Sequence, residues 1–349
     1  MENKKRVFSG IRPTGRLHLG NYLGAVKGML ELQNSGQYET IYCVVDVHAI
    51  TTPYDKEQLA LKKREVLIDY LAAGLDPEKS ILIYQSSVPE HTELAFYFSS
   101  VVSIGRMQDL PTFKEKVRQH PKHTTMALLN YPILMAADIL VYKAGLVPVG
   151  IDQEPHLEVA RDIARKMNQL YGLDFPEPKR FATKGEYIPS LKGEGKMGKS
   201  VEGSYINLTD SFEEIQKKVA RIPTDSGKGN ILPYQKEPLT IEKVNKYSEE
   251  HTPIQMGVDT LLTFIELFVG NSRRKELEKQ YTTTGVRYSE VKDELAQAIS
   301  KELKPFQEKR KEIEANQEYV DKVIKEGAEK ARNIAQKTVV EVREKMSLA

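Results

Sequence analysis

The chain has 349 residues, 40% of them hydrophobic and 29% charged, with a mean hydropathy of −0.47. That length points to two domains at roughly 100–200 residues each and excludes a small stapled scaffold, while the composition excludes a wholly disordered chain. Lys and Arg number 51 against 49 Asp and Glu, so the net charge of +2 is too small for bulk attraction to nucleic acid or anionic lipid. Any polyanion must be met by local patches. The single cysteine, Cys43, rules out an internal disulfide and a zinc or iron–sulfur site built on cysteine. His120 and His123 lie close together without a thiol or a helical H-E-x-x-H pattern, so no protein metal site is expected.

Residues 1–6 are charged and lead into structured-looking sequence without a secretory apolar region. The longest apolar stretch, residues 131–142, is broken by Asp138 and falls short of the ~18–20 residues of a membrane span. A soluble, cytoplasmic protein with no membrane partner is the expectation. Short β-branched runs alternate with longer amphipathic stretches through the first half, the sign of an α/β fold with parallel strands joined by helices. The expected strands are residues 6–11, 40–48, 80–86 and 146–150. Crossover helices are expected over 56–73 and over 154–170, where Leu157, Ala160, Ile163, Ala164 and Met167 form one stripe. Residues 182–204 read as a glycine-rich loop. Beyond it the pattern turns helical, ending in residues 317–346 with one apolar face.

The first strand runs into Arg12-Pro13-Thr14-Gly15-Arg16-Leu17-His18-Leu19-Gly20-Asn21. With Leu17 opening a helix, His18 and Asn21 lie three apart on one face, and Gly20 between them lets a flat ring approach the backbone. A helix N-terminus after a parallel strand offers unpaired N–H groups to phosphates. Lys196-Met197-Gly198-Lys199-Ser200, in the glycine-rich loop, supplies two cations and a hydroxyl that can close over a triphosphate and counter the charge on departing pyrophosphate. A plain turn and a solvated basic loop are the respective alternatives. Asp138 stands in a helical apolar run, where a carboxylate needs a donor. An Arg partner or a substrate N–H or O–H at the far edge of an aromatic ring would serve. After the fourth strand, Asp152 fits either a ligand contact or a helix N-cap, and His156 reads as structural.

These elements together resemble the class I aminoacyl-tRNA synthetases: His18-Leu19-Gly20-Asn21 is similar to that family's HIGH motif, and Lys196 to Ser200 to its KMSKS loop. Asn21 replaces the final histidine and Gly198 the middle serine. Tyr131-Pro132 through Met135-Ala136-Ala137-Asp138-Ile139-Leu140, followed by Val147-Pro148-Val149-Gly150-Ile151-Asp152-Gln153 and His156, resembles the tryptophanyl-tRNA synthetase family over nearly the whole chain. The resemblance implies a Rossmann-like catalytic domain over residues 1–204 and an all-helical anticodon-recognition domain over 205–349, whose last helix can pack back on the first.

It further implies activation of L-tryptophan with ATP and Mg²⁺, the metal arriving with the nucleotide, and transfer to tRNA(Trp) by a homodimer. Asp138 would accept the indole N–H. Phe8, Gly10, Met135, Val147 and Val149 would line the indole slot, with Tyr131, Gln153 and His48 holding the ammonium and carboxylate. Arg12, Pro13, Thr14, Gly20, Asn21, Gly150, Ile151, Asp152, Ile188, Lys196, Met197, Gly198, Lys199 and Ser200 would contact ATP, Arg12 standing where some relatives carry glutamine. His18, Lys116, Lys196 and Lys199 would stabilise the phosphates. Arg221, Arg273, Arg274 and Lys275 are anticodon candidates, with ordinary solvated charge as the alternative. The rival readings are a tyrosyl-tRNA synthetase, whose aspartate accepts a phenol O–H, and a non-catalytic paralogue binding RNA or tryptophan.

Overall fold

A computed structural model describes residues 4–182, 188–193, 195–199, 201–229 and 252–349. Ser200 lies outside them. The chain forms two units, interleaved in sequence: residues 1–15, 25–183 and 313–349 make the first, and residues 16–24 and 184–312 the second.

The first unit is built on a parallel sheet of β1 (Lys5–Ile11), β2 (Tyr38–Val44), β3 (Ser80–Tyr84), β4 (Leu146–Pro148) and β5 (Lys179–Phe181), in the order β3-β2-β1-β4-β5. The register pairs Val7 with Thr40 on one side and with Leu146 on the other. Because the connections leave β1 in both directions, the carboxyl ends of β1 and β4 flank the topological switch point, where an open α/β sheet holds its ligands. Val7, Ile41, Cys43, Val44, Ile83 and Val147 are buried in the sheet, as expected of strands covered on both faces. Cys43 is one of these packed apolar groups, and burial pushes its thiol well up.

Three strands stop earlier than their apolar runs suggest. After Val44 the chain turns into a short helix, Asp46–Ala49; after Tyr84 into a 3-10 turn, Gln85–Ser87; after Pro148 into another, Ile151–Gln153. Asp46 pins two of these turns together by accepting hydrogen bonds from Ser86 N at 2.8 Å and Lys63 Nζ at 3.0 Å. The effect is to swing polar side chains over the sheet edge where a longer strand would have alternated them away. β5, at the edge, is too short and too charged to be recognised from pattern.

The crossover helices follow their stripes. Lys56–Ala72 starts at Asp55, whose side chain accepts from Glu57 N and Gln58 N. Glu154–Tyr171 buries the stripe foreseen for it and ends at Gly172, in the left-handed conformation with φ of 65°. Leu17 does not open the helix after β1. That helix is Leu19–Asn21, with His18 extended at the N-cap, and it continues as a π turn, Tyr22–Val26, before Lys27–Ser35.

The last helix, Gln317–Lys345, belongs to the first unit and packs on β3. Its one-sided apolar face explains this, since Val320, Val323, Ala331, Ala335, Val339 and Val342 are all buried. Arg332 and Arg343 add ion pairs to Glu90 and Glu93. The second unit is helical among its described residues: Phe212–Ala220, Pro253–Phe268, Asn271–Thr282 and most of Tyr288–Ala315.

At Gly327 the final helix comes so close to β3 that an added Cβ would lie 1.9 Å from the Leu82 carbonyl oxygen. Helix propensity alone favours Gly327→Ala by roughly 1 kcal/mol. The clash is with rigid backbone, so we expect the substitution to destabilise the protein by about 1–3 kcal/mol in urea unfolding. A stabilised variant would contradict this packing.

Candidate active site

At the switch point of the first unit lies a cavity of about 380 Å³. Of the side chains assigned to an amino-acid site, Phe8, Gly10, His48, Tyr131, Met135, Asp138, Val147, Val149 and Gln153 all line it, as do Arg12, Lys116 and Asp152 from the nucleotide set. The strands position them by register: Phe8 and Gly10 come from β1, Val147 from β4, and the polar groups from the turns and helices that follow.

Asp138 sits in the helix Met126–Leu140 and is 1% exposed. Its partners are not arginines. Oδ1 accepts from Gln85 Nε2 at 2.7 Å and His91 Nδ1 at 2.6 Å, and Oδ2 from His48 Nε2 at 2.8 Å. Burial alone would raise this carboxyl, but the hydrogen bonds and charge of His48 and His91 outweigh it and hold Asp138 at about 2. As an ionised, acceptor-only group it has about four lone-pair sites, of which three are taken by protein donors. The donors are themselves anchored. Gln85 Oε1 accepts from Val47 N and His48 N, and His91 Nε2 is 2.7 Å from the Tyr142 hydroxyl.

Arg12 donates from Nη2 to Thr52 Oγ1 at 2.8 Å, while its Nε is buried and meets no hydrogen-bond partner. The same residue, with Pro13, Thr14 and Thr52, lines a second cavity of about 220 Å³. A part-buried guanidinium with an unmet buried donor is suited to an anionic oxygen. Lys116 Nζ donates to Gln119 Oε1 at 2.9 Å. Gly150 and Ile151 form the turn after β4 and do not line the large cavity. Asp152 is not the N-cap of the next helix. That position is Gln153, whose amide donates to Asp152 Oδ2 at 2.8 Å.

The second unit gathers the remaining phosphate-directed residues. Residues 17–19 pair with residues 206–208 through Leu19 N to Ile206 O and Leu208 N to Leu17 O, at 2.9 and 3.0 Å. Met197 N donates to Ile188 O, and Lys199 Nζ donates to the Arg16 carbonyl. Gly20 permits the contact between the two motifs: a Cβ there would fall 2.9 Å from the His18 ring and 3.3 Å from Met197 Cβ. Asn21 Oδ1 accepts from His18 N at 3.3 Å, a local bond that accounts for an amide at this position. Met197 and Ile188 are themselves buried, so their side chains serve packing and only their backbone is open to a ligand role. Gly198 O accepts from Ser204 Oγ at 2.5 Å.

His18 is buried and its Nδ1 has no hydrogen-bond partner. Burial, aided by the positive charges of Lys199 and Lys196, pushes the imidazole down to about 3. It is therefore neutral near pH 7 and can act on an anion as an N–H donor, not as a cation.

Arg273 is bound to Glu294 and Glu276, and Arg274 to Glu266 and Glu278, so both tie neighbouring helices together. His156, read as structural, lines the large cavity with Thr112. Gln85 and His91 were also missed. Gln85 carried a signal, since it follows β3 at the ligand-bearing edge of the sheet; His91, inside the next helix, carried none.

The His18 environment has a consequence for stability. In the unfolded chain the imidazole binds a proton below about 6.5, whereas in the native chain it does so only near 3, so this residue makes stability fall as pH drops between those values. His18→Asn should reduce that slope, measured as the urea midpoint against pH for the two proteins. Parallel curves would contradict the buried, neutral imidazole.

The class I tRNA synthetase family of the W and Y type matches residues 1–304. The chain is 40% identical over 349 residues to the tryptophan–tRNA ligase of Clostridium tetani, covering 99% of this chain and 96% of that protein. Its fold superposes on tryptophanyl-tRNA synthetase from Mycoplasma pneumoniae with a TM-score of 0.82 at 29% identity, covering 99% of both chains. For the Campylobacter jejuni tryptophanyl-tRNA synthetase complexed with ADP and tryptophan the TM-score is 0.78 at 31% identity, with 98% of this chain and 100% of that one covered. With the family model spanning most of the sequence and the relatives matching end to end, the chain belongs to the class I aminoacyl-tRNA synthetases, in the tryptophanyl-tRNA synthetase family.

Proposed function

We propose that the chain activates L-tryptophan with MgATP to tryptophanyl-adenylate, releasing pyrophosphate, and transfers the aminoacyl group to tRNA(Trp). The observation that carries this reading is the Asp138 site: one acceptor position remaining on an ionised carboxylate at the wall of a largely apolar cavity. An indole N–H is a donor only and matches it. A phenol O–H donates but also needs a donor for its own oxygen, and the N–H groups of His48, Gln85 and His91 that face Asp138 are already committed to it. Hydrogen-bond accounting therefore favours indole over phenol, and a site that buries such an acceptor rejects an amino acid lacking the donor by roughly 10⁴–10⁵-fold.

In the reaction, a carboxylate oxygen of tryptophan attacks the α-phosphorus of ATP in line, and the bond to the bridging oxygen of pyrophosphate breaks. No protein nucleophile takes part, so the work is positioning and charge compensation. Tyr131, Gln153 and His48 would hold the α-ammonium and α-carboxylate, with Phe8, Gly10, Met135, Val147 and Val149 around the ring. Arg12, Pro13, Thr14, Gly20, Asn21, Gly150, Ile151, Asp152 and Ile188 would seat the nucleotide.

Lys116, Lys196 and Lys199 would supply positive charge to the phosphates and His18 a neutral N–H, with Met197, Gly198 and Ser200 completing the loop. Mg²⁺ would enter as part of the nucleotide substrate; no three histidine, cysteine or carboxylate side chains gather for a metal among the described residues. The same reading makes tRNA(Trp) the macromolecular partner, a homodimer the working form and the cytoplasm the site of action. Among the described residues no helix is long and apolar enough to cross a membrane.

Amino-acid-dependent ATP–pyrophosphate exchange across the twenty amino acids tests the proposal. Exchange should be driven by tryptophan and not by tyrosine. Exchange with tyrosine alone would support a tyrosyl enzyme, and none at all a silent paralogue.

A further inference from the structure

Three polar side chains close a triangle in the cavity wall. The Tyr131 hydroxyl lies 2.8 Å from Thr112 Oγ1 and 2.7 Å from His156 Nε2, and Thr112 Oγ1 is 3.1 Å from that same nitrogen. They come from three helices, Pro111–Gln119, Met126–Leu140 and Glu154–Tyr171. On the far side of the ring, His156 Nδ1 is buried and meets no hydrogen-bond partner. Burial also pushes this imidazole down to about 4, so it is neutral near pH 7.

A neutral imidazole carries one N–H, and the nitrogen that holds it decides what the triangle presents to the cavity. With the proton on Nδ1, a buried N–H goes unmet, and because Tyr131 donates to Thr112 the Thr112 proton goes to Nε2, so both hydroxyl protons are consumed inside the triangle. With the proton on Nε2, the unmet atom is only a lone pair, which is the smaller penalty. Nε2–H then donates to the Tyr131 oxygen, Tyr131 donates to Thr112, and the Thr112 proton is left over. Tyr131 keeps a lone pair for the cavity and Thr112 keeps a donor.

We propose that His156 is a positioning residue whose Nε2–H orders these two hydroxyls, so that Tyr131 offers an acceptor to a substrate's α-ammonium and Thr112 a donor to its α-carboxylate. An acceptor and a donor 2.8 Å apart match the two charged groups on one α-carbon. Thr112 thereby becomes a substrate-binding residue. The inference rests on the reading of this cavity as an amino-acid site.

The test is calorimetric binding to the full chain of tryptophan, tryptamine (no carboxylate), indole-3-propionate (no ammonium) and 3-methylindole (neither). His156→Leu should weaken tryptophan about tenfold or more and leave 3-methylindole unchanged. His156→Gln, whose amide can donate from nearly the same place, should restore most of the loss. Thr112→Val should weaken tryptophan and indole-3-propionate but not tryptamine. Equal weakening of tryptophan and 3-methylindole in His156→Leu would show a merely structural role, and unchanged tryptophan binding would show no role; either overturns the proposal. A wild-type chain that binds no tryptophan would instead overturn the reading of the cavity on which the proposal stands.

Discussion

The carboxylate of Asp138 is the constraint around which the cavity of the first unit is organised. An ion in so dry a place costs several kcal/mol unless its lone pairs are met, and the donors must come from elements that can reach it. Here they come from the turn after β2, the turn after β3 and the helix Glu90–Ser99. Two of the three donors are themselves fixed, Gln85 by two backbone N–H groups and His91 by Tyr142. The early ends of β2 and β3 follow from the same requirement, since continued strands would have carried His48 and Gln85 to alternate faces of the sheet. Packing, strand length and site chemistry are therefore one arrangement.

In the second unit the controlling fact is positive charge held near a buried, neutral imidazole. Burial at the helix N-cap, aided by the charges of Lys199 and Lys196 on one loop, keeps a proton off the His18 imidazole. A glycine at position 20 suits the close approach of two stretches nearly 180 residues apart, since a Cβ there would lie 3.3 Å from Met197 Cβ and 2.9 Å from the His18 ring. Under the proposed function, neutral His18 and charged Lys196 and Lys199 would divide the labour of meeting an anion: directional donation from one, field from the others.

Much of this was legible in the residues. The alternation of apolar runs located four of the five strands, and the stripe on residues 154–170 was buried as foreseen. The side chains named for an amino-acid site converge on one cavity because they all stand near the carboxyl edge of the sheet, a position that pattern can recognise. What was not legible depended on three-dimensional closure. β5 lacks enough apolar residues to register, and the strand ends were overrun because a β-branched run says nothing about where a buried carboxylate will demand a turn. The ion pairs that the arginines at 273 and 274 make with glutamates of neighbouring helices also depend on that closure. The pairing of Gln85 and His91 with Asp138 was not legible for the same reason, as they stand 53 and 47 residues from it in sequence.

The claim that one lone pair of Asp138 remains for an indole N–H is tested most directly with 3-benzothienylalanine, in which sulfur replaces the N–H at nearly constant shape. A hydrogen bond to a charged acceptor contributes about 1.5–3 kcal/mol, so the analogue should bind at least about tenfold more weakly than tryptophan in a calorimetric titration. Equal affinities would mean that the protein's own donors saturate the carboxylate and that the indole is read elsewhere.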